Sequence, residues 1–318
     1  MKLGVLFKRA LTEGRKNDPR GQSQISREIK ALRNAYDEMS ERKKKSFDQE
    51  RLDNPYADTR ILFGRAEAEV KGLLAGIDID VGEIMLADRL REQGRHIDLA
   101  LSHHPVGRAY AGFYNVMHMQ ADILSRLGVP INIAESLLEE RIREVEHRVM
   151  PVNHTRTVDA ARLINVPLAC VHTPADNCAA THLQRLFDKK KPTLLRDIID
   201  ILEEIPEYQT AMKNNAPPRI ISGREGRRTG RIFVDMTGGT EGSIKILEKL
   251  AQAGVGTLVG MHLSEKHLEE AKKHNLNVVI AGHISSDTLG LNLLLDAVCA
   301  KERIEVIACS GFTRVKRK

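Results

Sequence analysis

Short apolar runs alternate with helix-patterned segments along most of this 318-residue chain, and that alternation confines it to the α/β class. Residues 70–79 read as a strand, 81–93 as a helix stopped at Gly94, and 96–102 as a second strand. That order is a βαβ unit, which implies a parallel sheet with helices on its faces. Further on, 114–127, 136–149, 157–163 and 177–187 have helical spacing, while 129–134 and 168–171 are strand-like. A linker is expected at 189–192, a helix at 194–202 and a loop at 214–218. Residues 220–221 and 231–235 flank a Gly/Arg-rich connection, which suggests a hairpin. Helices over 243–253, 265–274 and 289–300 then alternate with strands over 257–260, 278–281 and 304–309.

The expected architecture is two α/β halves, with mixed or parallel sheets flanked by helices and a cleft between them. The first half spans 52–190, a helical linker 191–218 and the second half 219–318. Ahead of them, 1–51 form a charged helical extension in which Ile25, Ile29, Leu32, Ala35, Tyr36 and Met39 keep helical spacing. No short-period repeat is visible.

Composition narrows the class of function. Hydrophobic residues make up 42% and aromatics only 4%, with no Trp, so the core is aliphatic. The low aromatic content also argues against a base-stacking surface for single-stranded nucleic acid. The net charge of +6 sits at the two ends, in residues 1–60 and in the tail 314–318, and the middle is slightly acidic. Basic ends can draw in nucleic acid or an anionic surface, or simply solvate the chain. Cys170, Cys178, Cys299 and Cys309 form no CxxC pair, as expected of free thiols in a reducing compartment. No stretch approaches membrane-span length, and a cytoplasmic location is the expectation.

Three places carry chemistry, each at the end of an apolar strand, where ligands bind in open α/β sheets. His103-His104-Pro105 follows the first. Adjacent residues of an extended segment point in different directions, so the two imidazoles suit two ions, or one ion and a supporting contact. The second is His172-Thr173-Pro174-Ala175-Asp176, where Asp176 could be a ligand or a favourable charge in a helix's first turn. In the third, Gly282-His283-Ile284-Ser285-Ser286-Asp287, His283 and Asp287 are four apart and can share a helix face, or the Ser and Asp residues can cap a helix. Imidazoles mixed with carboxylates suit Zn, Mn, Fe or Co.

These three motifs resemble the signatures of the NIF-three-like (Ngg-interacting factor three-like) dinuclear metal family, also labelled type two GTP cyclohydrolase I. The stretch from Leu52-Asp53-Asn54 to Gly64 is similar to the family's opening without its tryptophan. The resemblance covers roughly 52–110 and 165–313. It implies two metal ions per chain, held by His103, His104, Asp176, His283 and Asp287, with His172 a neighbour, and a homo-oligomeric assembly. Asp287 stands where the family usually has Glu, and Gly260-Met261-His262 where it commonly has a Gly-acid pair. The segment 106–165 is longer than usual, and 1–50 is an addition.

Two ions about 4 Å apart can lower the pKa of a bridging water and clamp an oxyanion. The expected reaction is therefore metal-assisted hydrolysis of a phosphate ester, a nucleotide-like compound or a cyclic amide. Asp176 is the expected bridging carboxylate, and His172 or Glu135 the expected proton carrier. A small anionic substrate could be held at Gly238, Gly239, Gly242 and Ser243, if that loop leads into a helix N-terminus, or could meet Arg224, Arg227, Arg228 and Arg231. The alternative is a non-enzymatic metal-binding regulatory protein whose basic ends hold partners or nucleic acid.

Overall fold

The computed structural model describes residues 1–300 and 302–317, so the end of the expected basic tail, Lys318, lies outside the described residues. The chain opens with α1 (Leu3–Lys16), α2 (Gln22–Asp37) and α3 (Glu41–Ser46). The first sheet then begins with β1 (Thr59–Phe63) and β2 (Gly72–Gly76), followed by α4 (Val81–Glu92) and β3 (Leu99–Ser102). Four helices come next: α5 (Gly107–Ala111), α6 (Met119–Leu127), α7 (Ile131–Val149) and α8 (Arg156–Leu163). Strand β4 (Leu168–Val171) leads without a break into the long helix α9 (His172–Lys190). After α10 (Leu195–Glu203) and α11 (Pro206–Lys213) the second sheet is laid down. It takes β5 (Arg219–Ser222), β6 (Arg231–Asp235), α12 (Ile246–Gln252), β7 (Val255–Gly260), α13 (Glu265–Lys273) and β8 (Asn277–Ile280). Helix α14 (His283–Cys299) and strand β9 (Glu305–Cys309) follow.

The two sheets repeat one plan. The first has strand order β1-β4-β3-β2-β9 and the second β5-β8-β7-β6. In each, the leading strand lies antiparallel to its neighbour, β1 to β4 and β5 to β8, and the others run parallel. Each also ends in a long helix that starts where its last strand stops, α9 after β4 and α14 after β8. Those two helices are mostly buried and pack on one another between the sheets. Leu73, Leu101 and Val171 of the first sheet meet Leu291 and Leu295 of α14 on one side. On the other, Val234, Val259 and Val279 meet Leu183 of α9 and Leu289 of α14. Side chains of both sheets thus close over one helical layer, the burial that stabilises a layered fold.

Four sequence expectations change. Residues 129–134 are not a strand. Gly128 ends α6 in a left-handed conformation (φ 108°), and Pro130, with its fixed φ and missing N–H, opens α7 at Ile131. The segments around 220 and 233 do not form a hairpin, since β5 and β6 occupy opposite edges of the second sheet and pair with β8 and β7. Helices α9 and α14 begin at His172 and His283, several residues before their patterns become apolar, because the first turns are polar and face the cleft. Within the helical extension 1–51, helical spacing is legible only over 25–39, and α1 ahead of it is also a packed helix. Leu3, Leu6, Ala10 and Gly14 form one buried face against α9 and α14. Asp18, just beyond it, binds Arg20 and accepts a hydrogen bond from Tyr56 Oη at 3.0 Å.

The chain also returns to its starting sheet. Strand β9 pairs in parallel with β2, from Gly72↔Glu305 to Gly76↔Cys309, so the second half contributes an edge to the first sheet. The four cysteines are free, and among the described residues no helix is long and apolar enough to cross a membrane.

Candidate metal centre

The ends of β3, β4 and β8 converge, and there the expected residues meet. Backbone ladders carry the chain into the His pair: His103 N donates to Gly76 O (2.9 Å) and His104 N to Ile77 O (2.8 Å). The pair therefore sits on rigid backbone. His172 with Asp176, and His283 with Asp287, occupy the first turns of α9 and α14, four residues apart on one face of each helix. Gly282 enters α14 at φ 112°, a conformation that suits glycine.

Five of the expected ligands, together with His172, form three overlapping groups. Potential ligand atoms lie within 4.8 Å of one another in His103/Asp176/Asp287, in His104/His283/Asp287 and in His103/His104/His172. Asp287 is common to the first two: its Oδ1 lies 3.4 Å from His103 Nε2, and its Oδ2 lies 3.3 Å from His104 Nε2 and 3.4 Å from His283 Nε2. Asp176 Oδ1 lies 3.3 Å from His103 Nε2. The expected bridging carboxylate was Asp176; the carboxylate placed between the two groups is Asp287.

These contacts are close but not hydrogen bonded. Both ring nitrogens of His103, Asp176 Oδ1 and Asp287 Oδ2 are buried without a hydrogen-bond partner. Orphaned buried donors and acceptors are costly, and their convergence here fits a cation that would satisfy several at once. The charge balance agrees. Burial disfavours the His103 imidazolium, yet Asp287 and Asp176 outweigh it and push the group up to about 10. Burial likewise opposes the Asp287 carboxylate, but His103, His104 and His283 hold it well below the usual range. The two carboxylates call for positive charge, which a proton or a metal ion can supply.

A supporting layer fixes the rings, and sequence reasoning missed it. Asp78 Oδ1 holds His104 Nδ1 at 2.7 Å, which turns Nε2 toward the cleft. Asp58, fully buried, holds His172 Nδ1 at 2.8 Å and accepts from Thr173 Oγ1 at 2.7 Å. His172 Nε2 then faces Asp176 Oδ2 at 3.6 Å. Asp58 and Asp78 lie far from the motifs in sequence; their only signal is an acid beside an apolar strand. Glu135 stands exposed on α7 and is not among these residues.

A cavity of about 100 Å³ opens from the cluster onto the outer face of the second sheet. Phe233 and Leu258 floor it, Ile246 and Leu250 of α12 flank it, and Asp235 and His262 stand nearer its mouth. His262 meets His283 edge-on with centroids 5.0 Å apart, and its Nδ1 meets Glu241 at 3.3 Å. The 238–243 loop walls the cavity but is not joined to a helix N-terminus as expected, since α12 starts only at Ile246. Gln120 Nε2 donates to Gly238 O and Thr240 O, at 2.7 and 2.8 Å, and Arg141 Nε to Glu241 O at 3.0 Å. Arg227 and Arg231 are tied to the carbonyls of Asn275 and Leu127, away from this cavity. At the other end of the chain, Arg314 pairs with Asp296, and Arg317 Nη2 with Glu207 at 2.6 Å.

No family model matches the sequence, and no curated protein matches it. Solved structures do. The crystal structure of a NIF3 superfamily protein from Sphaerobacter thermophilus superposes with a TM-score of 0.69 at 25% identity, covering 80% of this chain and 91% of that one. Reduced HcgD from Methanocaldococcus jannaschii gives 0.49 at 15% identity, over 78% and 87% of the two chains. A Bacillus cereus protein related to NIF3 gives 0.42 at 10% identity, over 79% and 91%.

Proposed function

From the NIF3-type fold and the buried His/Asp groups, we propose that the chain is a metal-dependent hydrolase holding two divalent ions, with Asp287 between them. One ion would take His103, Asp176 and Asp287, and the other His104, His283 and Asp287. The observation that carries this reading is the set of orphaned buried atoms of His103, Asp176 and Asp287, residues whose potential ligand atoms lie within 4.8 Å of one another. The mixed imidazole and carboxylate donors suit Zn, Fe, Mn or Co. Bound ions of this kind supply Lewis acidity and make water a nucleophile near neutral pH.

The chain's own residues do the rest. Asp78 and Asp58 orient His104 and His172. His172, buried and facing Asp176, is placed to carry a proton at Nε2. The apolar cavity floor excludes water from whatever enters from the cleft. A direct test loads the purified protein with each metal in turn and screens phosphoesters, GTP and cyclic amides. About two ions per chain and turnover lost in His103→Ala and Asp287→Asn are the expected results. Tight uptake without turnover on any of these classes would favour a metal-binding regulatory protein instead.

A further inference from the structure

The cavity beside the cluster has a chemistry of its own. Its lining includes no Lys or Arg among the described residues, and its histidines already face carboxylates, His262 and His267 facing Glu241, His283 facing Asp287 and His172 facing Asp176. The nearest loop instead has its carbonyls engaged by Gln120 and Arg141. Besides Asp176 and Asp287 of the cluster, two carboxylates line the space, Glu241 and Asp235. Glu241 is already occupied, accepting from Ser264 N at 2.6 Å and meeting His262 and His267. Asp235 is not: no hydrogen bond or ion pair to its carboxylate is found among the described residues. It shares the cavity face of β6 with Phe233, and its register partner is Gly260, which leaves the space beside the carboxylate open. Asp235 is exposed toward the cavity, and desolvation by the protein around it raises its carboxyl to about 6.

We propose that this cavity binds a small nitrogen heterocycle or amidine, its two adjacent N–H donors paired with the Asp235 carboxylate and its ring on Phe233 and Leu258. A carboxylate matches such a fork with two parallel hydrogen bonds. The volume of about 100 Å³ is enough for one ring. The group held at Asp235 would project toward His283 and Asp287, which share the same cavity wall. This assignment deepens the hydrolase reading by naming the substrate's nitrogen-bearing end. Binding at Asp235 itself requires no ion.

The test is calorimetric titration of the intact protein, metal-free and cobalt-loaded, with 2-aminoimidazole, with imidazole lacking the fork, and with inorganic phosphate. The expected result is saturable binding of 2-aminoimidazole, weakened at least tenfold in Asp235→Asn and weakened also in Gly260→Ala. In the latter the added Cβ finds its nearest neighbour, a backbone oxygen, at 3.5 Å, so the chain accommodates it while the cavity narrows. His103→Ala should leave this binding in place. Equal affinity in wild type and Asp235→Asn, no binding of 2-aminoimidazole at millimolar concentration, or phosphate displacing it from the metal-free protein would overturn the proposal. Metal content measured on the same samples separates the two readings. A chain that binds 2-aminoimidazole through Asp235 yet takes up no metal refutes the hydrolase and leaves this site standing.

Discussion

At the scale of single residues, the cluster depends on acids that set ring orientation. The Asp78 carboxylate binds His104 Nδ1, and so decides where that ring's Nε2 can reach. Asp78→Ala should lower metal affinity on the order of 10-fold, as loss of such supporting contacts does elsewhere; chelator competition would read it, and an unchanged constant would remove Asp78 from the site. Glu241 offers a pH test. Burial opposes its charge, yet His262, His267 and Ser264 N pull its carboxyl down to about 2 from an ordinary 4.5. A depressed acid contributes stability that is complete above its unfolded value and disappears as pH falls through the folded one. Urea titrations of wild type and Glu241→Gln should therefore differ fully above about pH 4.5 and converge toward pH 2. The clustered His and Asp residues were legible in the sequence because each stands where an apolar run stops. Asp58, Asp78 and Asp235 were not, since a lone acid near a strand looks the same whether it faces solvent or a ring nitrogen.

At the scale of elements, α9 carries Asp176 and α14 carries His283 and Asp287, and the crossing of the two helices sets the distance between Asp176 and Asp287. Gly290 permits that crossing: a Cβ there would lie 2.4 Å from Ala175 O, one residue before Asp176. Gly290→Ala should cost about 1–3 kcal/mol, the usual range for overpacking, and weaken metal binding as the two first turns separate. Equal metal affinity despite lost stability would show that the crossing does not tune the site. Leu6, buried under these helices, gives a control. Leu6→Ala should cost about 2–5 kcal/mol in urea unfolding with little change in metal affinity. The sequence made α4, α7, β3, β4 and β8 legible through periodicity. It concealed α1, whose one buried face is written in four residues of a charged segment, and the starts of α9 and α14, where function replaces the apolar pattern with His, Ser and Asp.

At the scale of the whole molecule, the site joins the two repeats of the fold. His103, His104 and Asp176 come from the first and His283 and Asp287 from the second, so a bound ion would tie the sheets together. Cobalt or zinc loading should raise Tm, and chelation should lower it and speed hydrogen exchange in the first turns of α9 and α14 ahead of the strands. No change in Tm would mean that the halves are held by packing alone. The repeat was invisible as sequence because its period is long and only the strand order is kept. Pairing of the second half's final strand with β2 was invisible too, because apolar patterning marks a strand but not its neighbour.

That last pairing has a consequence for how the protein is made. During synthesis β2 emerges more than two hundred residues before β9, its edge partner. Until then the nascent first sheet carries an unpaired parallel edge of Gly72, Leu73, Leu74, Ala75 and Gly76, apolar and able to recruit a strand from another chain. The molecule's vulnerable period is thus its time on the ribosome, and the strand that ends the exposure also brings the second half into place.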